Sequence, residues 1–475
     1  MIDLTTTTAL DVARRVNARQ LSAVEVTKAA LEQIQRLDDS LNAFITVTDA
    51  QALDAAEAVD RAIKGGKTFP LAGVPLAVKD SFHTAGVRTT AGSKALADFV
   101  PKDDANAVAR LKAAGCVLVG KSSMHEFAYG FTSQNAHFGD CKNPWDSTRI
   151  PGGSSGGNAV ALATGMALAA LGGDTGGSIR MPAALCGVVG LKVTYGRVSR
   201  HGGIPLSWSM DTVGPMTRTV ADAAALLGVL AGHDPKDPAS SQLPVPEGLN
   251  PLVGNAKGVR IGIPHQHFLE TMEPDVANAI EAALQVLKDA GATLIDVPFP
   301  SIDPVRGAHR AIIFSEASAA HEPLIRDQAQ GAKLSDEVRS SFVAGFFITA
   351  TQYLAAQQAR RRIIAEYRNL WNRFDVLVTP TTPIVATPIG ATTVTLNGEE
   401  HPLVRAFLDH TLPFNLTGQP GLSVPCGFSK TGLPIGLQLV GRPFDELLLL
   451  RVGAAFEAAT DWHKKTPPVA RRPVG

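Results

Sequence analysis

Two hydrophobic periods alternate along the chain. Near the start, Ser22 is followed three residues later by Glu25 and then by apolar Val26, Ala29, Ala30 and Ile34, a capping box opening an amphipathic helix. A second helical period covers 50–64. The run Val74-Pro75-Leu76-Ala77-Val78-Lys79 is short and apolar between turn formers, which predicts a buried strand. A helical stretch over 105–114 ends at Gly115, and the apolar residues 116–119 follow as another buried strand. The same alternation returns as a strand at 260–263, a helix at 275–291 and a strand at 293–297. It predicts an α/β fold, a sheet flanked by helices. The most apolar run, 159–171, is broken by Thr164 and Gly165 and falls short of the roughly 20 residues of a bilayer span, so it is predicted to be a buried helix. Residues 234–251 are rich in Pro, Asp and Ser and predict a surface excursion.

Composition narrows the partners. The 475 residues with 45% hydrophobic content suffice for a large core, and length alone suggests two or three domains. Lys+Arg and Asp+Glu both number 44, so no net field favours nucleic acid or anionic lipid, and a small neutral ligand fits better. Cys116, Cys141, Cys186 and Cys426 form no CxxC pair and no short metal-ligand spacing, which points to a reducing cytoplasm. The first residues turn polar at once, unlike a secretory signal. His265-Gln266-His267 lacks a third ligand and reads as a surface loop. The expectation is a small-molecule substrate without nucleic acid, membrane, metal or cofactor; a homodimer is left open.

The densest chemical signal lies in two glycine-rich segments flanking the apolar run: Gly152-Gly153-Ser154-Ser155-Gly156-Gly157 and Gly172-Gly173-Asp174-Thr175-Gly176-Gly177-Ser178. Glycine weakens regular elements, and its unobstructed backbone lets N–H groups converge as an oxyanion hole requires. The first segment also satisfies the G-x-S-x-G pattern of a nucleophile elbow. An elbow follows an apolar strand, however, and Asn143-Pro144-Trp145-Asp146-Ser147-Thr148-Arg149-Ile150-Pro151 cannot form one. Neither segment contains the G-K-[ST] of a phosphate-binding loop.

From Gly153 through Ser154-Ser155-Gly156 to Gly173-Asp174-Thr175-Gly176-Gly177-Ser178-Ile179-Arg180-Met181-Pro182-Ala183, the chain resembles the amidase signature family. Further segments resemble it at 70–80, 187–192, 211–216, 413–418 and 432–438, so the likeness covers nearly the whole chain and is weakest over 234–372. The resemblance implies one continuous amidase domain over 1–475, with a signature core at about 65–220 and a large mixed β-sheet covered by α-helices on both faces. It implies Ser178 as nucleophile, Ser154 in a cis peptide as proton relay and Lys79 as base, with an acyl-enzyme intermediate. Thr175, Gly176, Gly177 and Ser178 are then the oxyanion donors. Asp174 and Arg180 form an ion pair shaping that loop, Ser155 is a hydrogen-bonding support and Cys186 a small packed residue.

This reading suits the chemistry, because a serine hydroxyl needs a neighbouring base and a lysine can serve only if its surroundings hold it neutral. On a strand, Lys79 shares a face with Pro75 and Ala77 while Asp80 points away, so desolvation is free to lower its pKa. In the family the pocket is partly lined by the segment after a Glu-Phe pair, which places Ala128, Tyr129 and the aromatic Phe131 beside the substrate. The relatives' Thr-Asn-Met-Asp is here Ser122-Ser123-Met124-His125. The amidotransferase glutaminase subunits of the family carry a Tyr-Asp-Gly-[IV]-Arg-Tyr-Gly stretch that 316–326 replaces. A stand-alone amidase for a small aryl amide or carbamate is therefore favoured over such a subunit. The intact Lys-Ser-Ser set argues against a non-catalytic binding module.

Overall fold

A computed structural model describes residues 2–471. The described residues contribute thirteen strands: β1 (Phe44–Val47), β2 (Pro75–Lys79), β3 (Val117–Ser122), β4 (Ala169–Asp174), β5 (Val189–Lys192), β6 (Thr212–Thr217) and β7 (Arg260–Ile263). Then follow β8 (Thr293–Asp296), β9 (Val376–Pro380), β10 (Thr393–Leu396), β11 (Glu399–Pro402), β12 (Gly421–Phe428) and β13 (Pro434–Val440). Eleven form one mixed sheet in the order β1-β3-β2-β4-β6-β5-β12-β13-β9-β7-β8, and β10 and β11 make a separate hairpin. The central strands β2, β3, β5, β6, β9 and β13 are buried at every position. Strands buried on both faces need helices on both, so the α/β architecture and the unbroken apolar runs have one cause.

The periodic segments fold as their patterns require. Ser22 caps the helix Ala23–Leu41 with the full capping box, its side chain taking the Glu25 N–H and Glu25 reaching back to the Ser22 N–H. Helices Asp49–Lys64, Asn106–Ala113 and Pro274–Asp289 lie where the helical period puts them. Strands β7 and β8, from the segment of weakest family likeness, join the same sheet as the signature core.

One expectation is corrected and one is refined. The run 159–171 is not one helix: it divides into the end of the helix Gly156–Ala163 and the start of β4. Gly165 turns between them at φ +72°, a conformation L side chains rarely adopt, so the interruption that ruled out a membrane span is the boundary itself. The excursion at 234–251 is also pinned down: Asp234 accepts from Ser199 Oγ at 2.6 Å, and Asp237 pairs with Arg200 at 2.9 Å. Both carboxylates are buried, and the local composition could not reveal their partners. No described helix is long and apolar enough to cross a membrane.

Candidate active site

The order of β2, β4 and β6 in the sheet brings the chemistry together. Strands β2 and β4 run parallel, so Lys79 at the end of β2 and the glycine segment at the end of β4 emerge on the same edge. The first glycine segment enters the helix Gly156–Ala163 beside them, and the Ser155 N–H donates to the Ser178 carbonyl at 3.2 Å. The Ser155 hydroxyl donates to the Gly173 carbonyl at 3.2 Å, a supporting bond between the segments.

Lys79 is 1% exposed, and its Nζ stands 2.7 Å from Ser154 Oγ and 3.3 Å from the Gly173 carbonyl. Burial lowers its pKa to about 7 against the opposing pull of Asp174 and Asp211, so near neutrality the amine is free to accept a proton. Asp80 turns away, as the strand period requires, and meets Lys121 at 3.3 Å and the Thr90 N–H at 2.8 Å. The peptide between Gly153 and Ser154 is cis. Among the described residues Ser178 Oγ makes no hydrogen bond within the protein; Ser178 lines a cavity of about 450 Å³ instead. Lys79 borders a different cavity, of about 200 Å³, and Ala128, Thr175 and Leu206 line both.

The loop is held by one buried network. Arg180 and Asp174, both fully buried, pair at 3.0 Å. Arg180 also donates to Gln438 at 2.8 Å, Asn415 at 2.6 Å and the Thr411 carbonyl at 3.0 Å. Burial pushes the Asp174 carboxyl up, but Arg180 and Lys192 outweigh it and hold the group well below the usual carboxylate range. Asp174 Oδ1 accepts the Gly177 N–H at 2.9 Å. That donor, counted from the sequence among the oxyanion group, is thus engaged in shaping the loop, and Thr175, Gly176 and Ser178 retain N–H groups without an intraprotein acceptor among the described residues. Gly177 sits at φ +132°, and a methyl there would collide with Thr411 Oγ1, which itself donates to the Gly176 carbonyl at 2.5 Å. Gly177→Ala should therefore destabilise the fold by roughly 1–3 kcal/mol and depress activity more than stability alone explains. Thermal unfolding and turnover measured side by side check this; wild-type values for both would contradict the packing.

The segment after the Glu-Phe pair lies on this cavity: Ala128, Tyr129 and Phe131 line it together with Ile313 and Phe314, the Tyr129 and Phe314 rings 6.0 Å apart. Phe127 and Ala128 take left-handed backbone conformations at φ +48° and +59°, which turn the segment toward Ser178. No motif in the sequence marks Asn415, Thr411 or Gln438 as part of the site, although polar residues inside otherwise apolar elements are a signal for buried networks. His309, Arg306, Arg310 and Glu337, which no motif marks either, complete the cavity from the segment of weakest family likeness. Cys186 is buried and packed, as expected. His265 is exposed and bonds Asp296 at 2.8 Å; His267 contacts the Asp409 carbonyl. They sit on a short kinked helix, His265–Phe268, rather than in a plain loop. Among the described residues no group of three or more His, Cys, Asp or Glu could hold a metal ion.

Comparisons with known proteins extend these observations. A family model described as Amidase matches residues 25–450. The chain is 45% identical over 477 residues to a glutamyl-tRNA(Gln) amidotransferase subunit from Chloroflexus aggregans, covering 96% of each. Among solved structures it is similar to an s-triazine catabolic enzyme described as part of a vestigial protein complex, with TM-score 0.90 and 36% identity over 95% of this chain and 98% of that one. A bacterial aryl acylamidase of the amidase signature family superposes with TM-score 0.89 and 28% identity over 99% of both chains. The first relative corrects two expectations. A small-molecule amide as partner with nucleic acid excluded does not stand against 45% identity to a subunit of an enzyme named for glutamyl-tRNA, and the rival reading is better supported than the stand-alone one. The physical reason is that a zero net charge averages over the whole surface. It reports neither a local basic patch nor an RNA carried by a neighbouring subunit.

Proposed function

The chain belongs to the Amidase family and is a hydrolase of carbon–nitrogen bonds, and from that premise we propose that it is the glutaminase subunit of a tRNA-dependent amidotransferase, cleaving the side-chain amide of glutamine through an acyl-enzyme on Ser178. The observation that carries the reading is the 45% identity sustained over 96% of both chains. Ser178 Oγ attacks the amide carbon, and its proton passes to Ser154 as Ser154 passes its own to neutral Lys79. The N–H groups of Thr175, Gly176 and Ser178 receive the developing oxyanion. Collapse of the tetrahedral intermediate breaks the C–N bond. The proton returns from Lys79 through Ser154 to the leaving nitrogen, which departs as ammonia. Water then attacks the ester along the same path, releasing the acid and restoring the serine.

The departure at 316–326 has a structural content. These residues lie within the helix Asp303–Arg326, where Glu316 is fully buried and accepts from Tyr353 at 2.9 Å and the Ser209 N–H at 3.1 Å. The test is ammonia release from L-glutamine, from anilides and from carbamates, by the chain alone and with the amidotransferase subunits of its host. Glutamine turnover that rises in the complex is the expected result. Rapid anilide or carbamate cleavage with none of glutamine would overturn the subunit reading and leave amide hydrolysis intact.

A further inference from the structure

His309 stands in the helix Asp303–Arg326 at the wall of the Ser178 cavity, and none of the steps above uses it. It is 7% exposed, and its Nε2 is buried with no hydrogen-bond partner among the described residues. The atom faces the oxyanion loop: a Cβ built on Gly176 would lie 3.7 Å from it. A buried imidazole nitrogen without a partner is costly, by about 1–3 kcal/mol, and most such groups in folded proteins are satisfied. This one borders the cavity that receives the substrate. Burial lowers the His309 pKa to about 4 against the opposing pull of the Thr175 backbone, and Arg360 lowers it a little further. The ring is therefore neutral at physiological pH, with one N–H and one lone pair. The Thr175 carbonyl favours an N–H on one ring nitrogen, which leaves the other with a bare lone pair as the acceptor; Nε2 is the nitrogen without a partner.

The charged groups around it are mostly committed elsewhere. Arg306 pairs with Asp303 and Asp409, and Glu337 with His125 at 3.2 Å. Arg310, exposed one residue further along the helix, makes no ion pair among the described residues and lies over the Phe314 ring at 5.5 Å.

We infer that His309 is a specificity-determining residue that accepts a hydrogen bond from an N–H on the acyl side of the substrate. The preferred substrate class is then amides whose acyl portion carries such a donor, an amino or ureido nitrogen, rather than a plain methylene chain. This deepens the proposed function and rests on amide cleavage at Ser178. Matched pairs test it: L-glutamine against glutaramate, which lacks the amino group, and biuret against malonamide, which has CH₂ in place of NH.

In the wild-type enzyme kcat/KM should favour the N–H member of a cleaved pair by about tenfold, the worth of one hydrogen bond. His309→Phe should reduce that ratio at least fivefold, and His309→Gln, which keeps an acceptor, should restore part of it. Equal losses for both members would show a merely structural role and overturn the inference, as would an unchanged ratio. Cleavage of biuret but not glutamine, with the ratio still dependent on His309, would sink the glutaminase reading and leave this inference standing. Binding supplies a readout independent of turnover. In Ser178→Ala protein the N–H member of at least one pair should shift the His309 ring ¹⁵N resonances and its partner should not; no shift with either N–H compound overturns the inference.

Discussion

Ser178→Ala should abolish acyl-enzyme formation and lower turnover by about four to six orders of magnitude while leaving the unfolding midpoint almost unchanged. Both halves follow from one observation. The hydroxyl makes no hydrogen bond within the protein among the described residues and lines the cavity, so its removal breaks no structural contact. Replacing such a group typically changes stability by less than about 0.5 kcal/mol. Asp174, Arg180 and Asn415 hold the loop through side chains and backbone that the substitution does not touch. A fluorophosphonate should modify Ser178 and no other serine. Turnover near wild type would remove Ser178 from the mechanism, and a label mapped to Ser154 would revive the nucleophile-elbow alternative.

What could be read in the sequence was whatever a local pattern dictates. The capping box at Ser22 and Glu25 names a helix start because both partners lie within one turn. The apolar stretch ending at Lys79 names a buried strand because burial on both faces removes the polar alternation. The sheet order escaped reading, since β12 takes β5 as its neighbour, Gly421 opposite Lys192, a pairing that no local pattern announces. The fused run at 159–171 failed for a different reason. A buried helix and a buried strand share the same composition, and periodicity cannot divide a segment that is apolar throughout.

The site divides in the same way. Lys79, Ser154, Ser178 and their glycine segments stand out through motif density. The Gly177 N–H went to Asp174 rather than to an oxyanion because a carboxylate three residues upstream reaches back into its own loop, a competition that residue types alone do not reveal. His309 lies within the buried stripe of its helix, among Val305, Ala308, Ile312, Ile313 and Ala317, and the period that marks a core face does not say that this face meets Ser178. The partner expectation failed because a charge total carries no geometry.

Lys79 gives the second large effect, and its sign can be worked out for both activity and stability. Only the neutral amine accepts the proton that Ser154 relays, so activity should rise with pH through about 7, where burial places the Lys79 pKa. The cavity histidine does not explain such a midpoint, since burial holds His309 near 4. Lys79→Ala should remove most activity, on the order of 10³-fold or more, and Lys79→Arg should not restore it because a guanidinium stays protonated. Stability should move the opposite way. Between about pH 7 and 10.5 the unfolded chain binds a proton at Lys79 that the folded chain does not, so the native lysine is destabilising at neutral pH. Its penalty is complete below pH 7 and fades as pH rises toward 10.5. Lys79→Met, which keeps the length without the charge, should therefore unfold at a higher temperature than wild type at pH 7, and the gap should narrow at pH 10. A Lys79→Arg enzyme retaining most of its activity would show that another group deprotonates Ser178. A Lys79→Met protein less stable than wild type at pH 7 would show that the buried amine is held charged by Asp174 and Asp211, and the relay from Ser178 would then lack its base.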